Sequence, residues 1–223
     1  MNVAIVDYGV GNLYSLRCSF SAIGQNVCVT SDPDILRAAD AVVLPGVGAF
    51  GDAIDALRKT ELDKVVIEIA ESGKPLLGIC LGMQMLFDKS YEYGEHQGLG
   101  LIPGEVRSLK EVVNPETLVP HIGWNALHLT SGEDACKDGL GQSGGSLLAE
   151  VGEGAYVYFV HSFYATECAA NTIAVADYDV PVTAAVQKDN VFGCQFHPEK
   201  SGKVGLQILT AFCNLIKEAE SAC

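Results

Sequence analysis

Pro75-Leu76-Leu77-Gly78-Ile79-Cys80-Leu81-Gly82-Met83-Gln84 is the stretch on which the reading of this chain turns. A short apolar run leads into Gly-x-Cys-x-Gly, the pattern of a strand that makes one sharp turn into a helix and carries a nucleophile at the apex. Gly78 and Gly82 leave room at a turn that a side chain would crowd. The following helix aims its first N–H groups near the sulfur, which favours thiolate over thiol. The plainer reading is a buried cysteine in an ordinary strand-to-helix turn of an α/β sheet.

Val191-Phe192-Gly193-Cys194-Gln195-Phe196-His197-Pro198-Glu199 completes a reactive set. Pro198 pushes His197 toward extended backbone, where residues two apart point the same way. The Glu199 carboxylate is therefore expected beside the His197 imidazole. A cysteine nucleophile needs a base, and the base needs an orienting group. Cys80, His197 and Glu199 supply all three. His161 is the rival base, since it also ends a strand, but its neighbours Ser162 and Phe163 bring no carboxylate.

Residues 41–44 read as a buried strand running into Pro45-Gly46-Val47-Gly48. Ligands of open α/β sheets bind at the carboxyl ends of strands, so this end is expected beside Cys80, with N–H groups able to hold an oxyanion. Strands are also expected at residues 2–7 and 26–30, with a turn at residues 8–12 and helices from there to about residue 23 and at residues 49–59 and 61–72. Gly9-x-Gly11 lacks the third glycine of a dinucleotide fingerprint. Ser31-Asp32-Pro33 caps a short helix. Residues 88–100 read as a loop. Residues 105–109 and 124–129 read as antiparallel strands with a turn-like Pro120-His121-Ile122-Gly123-Trp124-Asn125 between them. Residues 131–145, rich in Gly and Ser, read as a surface excursion. Strands follow at residues 156–160, 173–176, 182–187 and 191–196, and a helix at 202–218 with Leu206, Leu209, Phe212 and Ile216 on one stripe. The pattern predicts one α/β domain over residues 1–223: an open, mostly parallel sheet flanked by helices, with an added antiparallel strand region.

The chain has 223 residues, is 48% hydrophobic and carries a formal net charge of −14. Such acidity argues against nucleic acid and acidic membranes as partners. Eight cysteines show no Cys-x-x-Cys and no zinc-ligand spacing with the five histidines. Their apolar contexts favour reduced thiols and a cytoplasmic location. No signal peptide and no membrane-length apolar run is evident.

Gly78-Ile-Cys80-Leu-Gly82-Met-Gln84 and Phe196-His197-Pro198-Glu199 resemble the motifs of the class I (triad) glutamine amidotransferases, a flavodoxin-like fold. Pro45-Gly46-Val47-Gly48, Asp7-Tyr8-Gly9-Val10-Gly11-Asn12 and Pro120–Asn125 are similar to the branch that serves imidazole glycerol phosphate synthases. The resemblance implies hydrolysis of L-glutamine to glutamate and ammonia through a Cys80 thioester, with His197 as base and Glu199 orienting it. It implies an oxyanion held by Gly46, Val47, Gly48 and Leu81, and glutamine held by Gln84, Ser162 and Phe163. It implies no metal or other cofactor, and a (β/α)8-barrel cyclase partner contacting Asn12, Pro120, His121, Gly123, Trp124 and Asn125. Val47 stands where most members have glycine; a β-branched residue resists positive φ, so the strand is expected to need the loaded partner before its N–H can serve the oxyanion. The glutaminase of another synthase, or a non-catalytic subunit on the same fold, are the alternatives.

Overall fold

The computed structural model describes residues 2–130 and 147–221; the 131–145 excursion lies outside the described residues. The first part of the chain alternates strand and helix: β1 (Asn2–Val6), α1 (Leu13–Ala22), β2 (Asn26–Thr30), α2 (Pro33–Ala38), β3 (Ala41–Gly46), α3 (Phe50–Lys59), α4 (Leu62–Glu71), β4 (Leu76–Cys80) and α5 (Leu81–Met85). Asp32 caps α2, its side chain accepting from Asp34 N at 2.9 Å, with Pro33 at the first helical position. β3 and β4 are buried at every residue, as parallel strands covered on both faces must be.

A strand-rich part follows: β5 (Phe87–Ser90), β6 (His96–Gln97), β7 (Ile102–Ser108), β8 (His121–Ala126), β9 (His128–Leu129), β10 (Tyr156–His161), β11 (Phe163–Thr166), β12 (Thr172–Tyr178), β13 (Val180–Lys188) and β14 (Val191–Cys194), closed by α6 (Gly202–Ser221). The eight-stranded sheet runs β2-β1-β3-β4-β14-β13-β12-β9. It is parallel from β2 to β14 and antiparallel from β14 to β9. The order reverses between β1 and β3, and ligand crevices form outside the carboxyl ends of strands near such a switch point.

Alternation along the parallel strands divides the core. Val6, Val42, Leu44 and Leu76 pack with Leu36, Ile54, Leu57, Val65 and Ile69 of α2, α3 and α4. Ile5, Val43, Leu77 and Ile79 pack with Leu16 and Phe20 of α1 and Leu209 and Phe212 of α6. No helix among the described residues is long and apolar enough to cross a membrane.

The structure corrects several expectations. Residues 88–100 are not simply a loop: β5 pairs with β6 and, in parallel, with β7. Short polar strands owe their form to backbone pairing, which composition does not display. β7 and β8 do not pair with each other; β7 joins β11 and β5, and β8 joins β10. The turn-like stretch, residues 120–125, is strand from His121 onward, within β8. On α6 the buried face is Gly205, Ile208, Leu209, Phe212 and Cys213, while Leu206 is half-exposed and the Ile216 side chain lies outside the described residues. A Cβ on Gly205 would sit 1.9 Å from Pro198 O, so this helix lies directly against the His197-Pro198-Glu199 turn.

Candidate active site

Cys80 ends β4 with φ 55° and ψ −112°, a strained conformation for a residue with a Cβ. Such strain costs on the order of 1–3 kcal/mol and persists only where its surroundings impose it. The glycines impose it. A Cβ on Gly82 would lie 1.9 Å from Leu44 O, one on Gly78 would lie 2.8 Å from Gly82 O, and one on Gly46 would lie 2.7 Å from Gly82 N. The elbow is thus pressed against the end of β3. The helix behind it, α5, has only five residues, so the dipole expected to act on the sulfur is that of a single turn. A direct donor reaches the sulfur instead: Gln195 Nε2 lies 3.7 Å from Cys80 Sγ.

β14 lies beside β4 in the sheet, with Cys194 opposite Ile79. Three residues on, His197 Nδ1 lies 2.9 Å from Glu199 Oε1, and both side chains are almost wholly buried. Burial works to lower the His197 pKa, but interaction with the Cys80 sulfur and the Glu199 carboxylate outweighs it and raises the value to about 9. His197 Nε2 is buried with no hydrogen-bond partner in the resting site among the described residues. Glu199 Oε2 likewise has none. An imidazole held by a carboxylate at one nitrogen, with the other free, is ready to exchange a proton with a reacting group.

A cavity of about 270 Å³ opens over these residues, lined by Val47, Gly48, Leu81, Gln84, Ser162 and Phe163 among others. The strand end at Val47 and Gly48, the elbow and the β10–β11 junction therefore meet at one cavity. Val47 is 42% exposed and Gly48 has φ +93°. Gln84 is buried, and its Nε2 donates to Phe163 O and to Gln195 Oε1, both at 2.9 Å. Both amide hydrogens are thus occupied, which leaves Gln84 Oε1 for a ligand and makes this side chain chiefly a brace for the cavity wall.

The six expected partner-contact residues divide. Trp124 is 54% exposed and Pro120 lies on the surface, while Gly123 is half-buried. His121 is 3% exposed, stacked against Phe159 and Tyr178. Its side chain faces inward because alternate strand residues do. Asn125 is tied to Asp177 O at 2.8 Å. Asn12 Nδ2 reaches Glu199 Oε1 at 3.4 Å, which connects it to the reactive set.

Sequence reasoning misses three residues. Gln195 stands inside the His197 motif, where its apolar neighbours mark it only as part of a strand. Glu92 lines the cavity and accepts from Phe50 N at 2.6 Å; burial raises its pKa. Its carboxylate suits a ligand ammonium group. Tyr8 donates from its phenol to Pro45 O at 2.7 Å, fixing the base of the Pro45–Gly48 turn, and burial followed by the nearby Cys80 raises its pKa. Nothing in local composition could have found Tyr8 or Glu92, because each acts across the fold.

The chain matches the family model "Glutamine amidotransferase class-I" over residues 4–214. It is 47% identical over 213 residues to the imidazole glycerol phosphate synthase subunit HisH of Lactiplantibacillus plantarum, covering 96% of this chain and 95% of the relative. It is 44% identical over 216 residues to the same subunit from Lacticaseibacillus casei, covering 97% of each. A solved glutamine amidotransferase superposes with TM-score 0.70 at 17% identity, covering 96% of this chain and 98% of the other, a likeness of fold.

Proposed function

The chain belongs to the class-I glutamine amidotransferase family, and from that premise we propose how its site works. It is a glutaminase subunit serving imidazole glycerol phosphate synthesis in histidine biosynthesis. The observation that carries the mechanism is the convergence of Cys80 with the buried His197–Glu199 pair on one cavity.

Cys80 sulfur, as thiolate, attacks the side-chain carbonyl carbon of glutamine. The developing oxyanion is held by backbone N–H groups of Val47 or Gly48 and of Leu81, which line the cavity. When the tetrahedral adduct collapses, the C–N bond breaks and His197 Nε2 gives a proton to the leaving nitrogen. Ammonia departs and a thioester remains. His197 then takes a proton from water, the hydroxide attacks the thioester, and glutamate leaves as the C–S bond breaks. Glu199 keeps the proton on Nδ1 and stabilises the imidazolium. Glu92 receives the substrate's α-ammonium group.

Free ammonia would be lost to water as ammonium, so the product needs an acceptor held close by. We propose that the acceptor site belongs to a (β/α)8-barrel cyclase subunit docked on the face bearing Trp124 and Ile122, which are 54% and 59% exposed. The subunit acts as a single domain in the cytoplasm, where unpaired thiols such as Cys18 and Cys28 remain reduced. Val47 between Gly46 and Gly48 restrains the turn, so glutaminase activity is weak alone and rises when the cyclase holds its nucleotide.

The test is steady-state glutamate release by the free subunit, by the complex, and by the complex with nucleotide. Cys80→Ser should abolish release in all three while the complex still uses added ammonia. Turnover in the Ser variant would remove Cys80 from the mechanism. Equal rates in the three wild-type samples would mean that Val47 has no gating role.

A further inference from the structure

Two histidines outside the reactive set are buried against each other. His121 Nδ1 lies 3.1 Å from His161 Nε2, and His161 Nδ1 lies 2.9 Å from Phe163 O. A carbonyl oxygen only accepts, so His161 carries its hydrogen on Nδ1. In a neutral ring its Nε2 then accepts, and the hydrogen between the rings belongs to His121 Nδ1. His121 Nε2 is left to accept from Asn125 Nδ2 at 3.3 Å. Asn125 is fixed in turn: its Nδ2 also donates to Asp177 O at 2.8 Å, and its Oδ1 accepts from Ala126 N at 2.8 Å. Each donated hydrogen in the series has one acceptor, the two on Asn125 Nδ2 going to His121 Nε2 and Asp177 O, and the direction of every hydrogen is determined.

The far end of the series is the cavity wall. Phe163 O accepts from His161 and also from Gln84 Nε2, and Gln84 reaches Cys80 sulfur through Gln195. The near end is β8, whose alternate residues Ile122 and Trp124 face outward. A proton added to His161 Nε2 would face the N–H of His121 Nδ1 at 3.1 Å, and one added to His121 Nε2 would face the Asn125 amide N–H at 3.3 Å. Burial holds the pKa of His121 down to about 4 and that of His161 to about 3; the titratable groups bearing on His161 are His121 and His197.

We propose that Asn125, His121 and His161 form a neutral hydrogen-bond relay that holds the Ser162–Phe163 wall of the glutamine cavity in place relative to β8. His121 and His161 are thus positioning residues for glutamine hydrolysis. This rests on the glutaminase reading and extends it from the reactive set to the polar groups behind the cavity wall, which span two strands. An ordinary packed histidine pair would stabilise the fold without selecting a substrate-binding geometry.

The experiment compares wild type, His121→Phe and His121→Asn, each as free subunit and in the complex. Phe keeps the ring between Phe159 and Tyr178 but cannot donate. Asn places an amide N–H near the position of Nδ1. With one positioning hydrogen bond lost, KM for glutamine should rise about tenfold in His121→Phe, with kcat within about threefold. His121→Asn should return KM to within about twofold of wild type. An unchanged KM in folded His121→Phe overturns the relay. A second readout needs no variant: ¹⁵N spectra of wild type from about pH 5 to about pH 8 should show both rings as neutral Nδ1–H tautomers. An Nε2–H tautomer, or titration of either ring in that range, overturns the relay whatever the kinetics. Intact tautomers without any glutamine hydrolysis would instead count against the glutaminase reading.

Discussion

The Asn12 amide nitrogen lies 3.4 Å from Glu199 Oε1, across 187 residues of chain. It joins the segment after β1 to the carboxylate that orients His197. Glu199→Gln keeps the shape and removes the charge, and should lower kcat by roughly 10²–10⁴. Asn12→Ala removes one long hydrogen bond to that carboxylate and should lower kcat of the free subunit by about three- to tenfold, with KM unchanged. If Asn12→Ala alters only assembly with a partner, its contact with Glu199 is incidental.

The raised His197 pKa sets a pH window for stability. The unfolded imidazole titrates near 6.5, and the folded one at about 9. The folded state therefore binds the proton more tightly. Its contribution is fully present below about pH 6.5 and is lost as pH rises through about 9. Denaturation midpoints measured across that window should fall for wild type. The fall should be shallower in Glu199→Gln, where a group holding the proton on the ring is gone. Parallel profiles would show that Glu199 does not set the His197 pKa.

Gly82 is the most confined position in the elbow. Alanine there would place its Cβ 1.9 Å from Leu44 O and force β3 and α5 apart. The expected loss is about 3 kcal/mol or more by urea denaturation. At Gly152 an added methyl would meet nothing within 4 Å, so Gly152→Ala should be neutral or stabilise by about 0.4–1 kcal/mol. Similar losses in both would contradict the steric account of the elbow.

Trp124 is exposed and meets Tyr158 edge-on with ring centroids 6.1 Å apart. Truncation to Ala should leave the thermal midpoint of the free subunit close to wild type. It should weaken assembly with the cyclase by about 2 kcal/mol or more, roughly thirtyfold in Kd. Unchanged assembly would move the docking face elsewhere.

The candidate reactive set is legible in the sequence because each half is local. Gly78, Cys80 and Gly82 state a turn that only those residues fit, and Pro198 brings His197 and Glu199 together within three residues. The parallel strands are legible from apolar runs that need cover on both faces. What escapes depends on pairing across the chain. Lys89 and Ser90 look like loop residues until β6 and β7 are placed beside them. His121 belongs to a turn-like string in sequence, yet strand alternation turns it inward while Trp124 faces solvent. Tyr8 and Gln195 acquire roles only when Pro45 and Cys80 are brought to them.

The place of β14 between β4 and β13 also bears on synthesis. Gln195 follows Cys80 by 115 residues. On the ribosome, the completed β4 presents an unpaired apolar edge, Leu76, Leu77 and Ile79, until β14 has been translated. At usual elongation rates that interval is on the order of ten seconds. An open edge of this kind invites pairing with other nascent chains. The nascent chain is therefore a natural client for holding chaperones during this interval, and its yield should fall when they are scarce even though the finished sheet hides the edge completely.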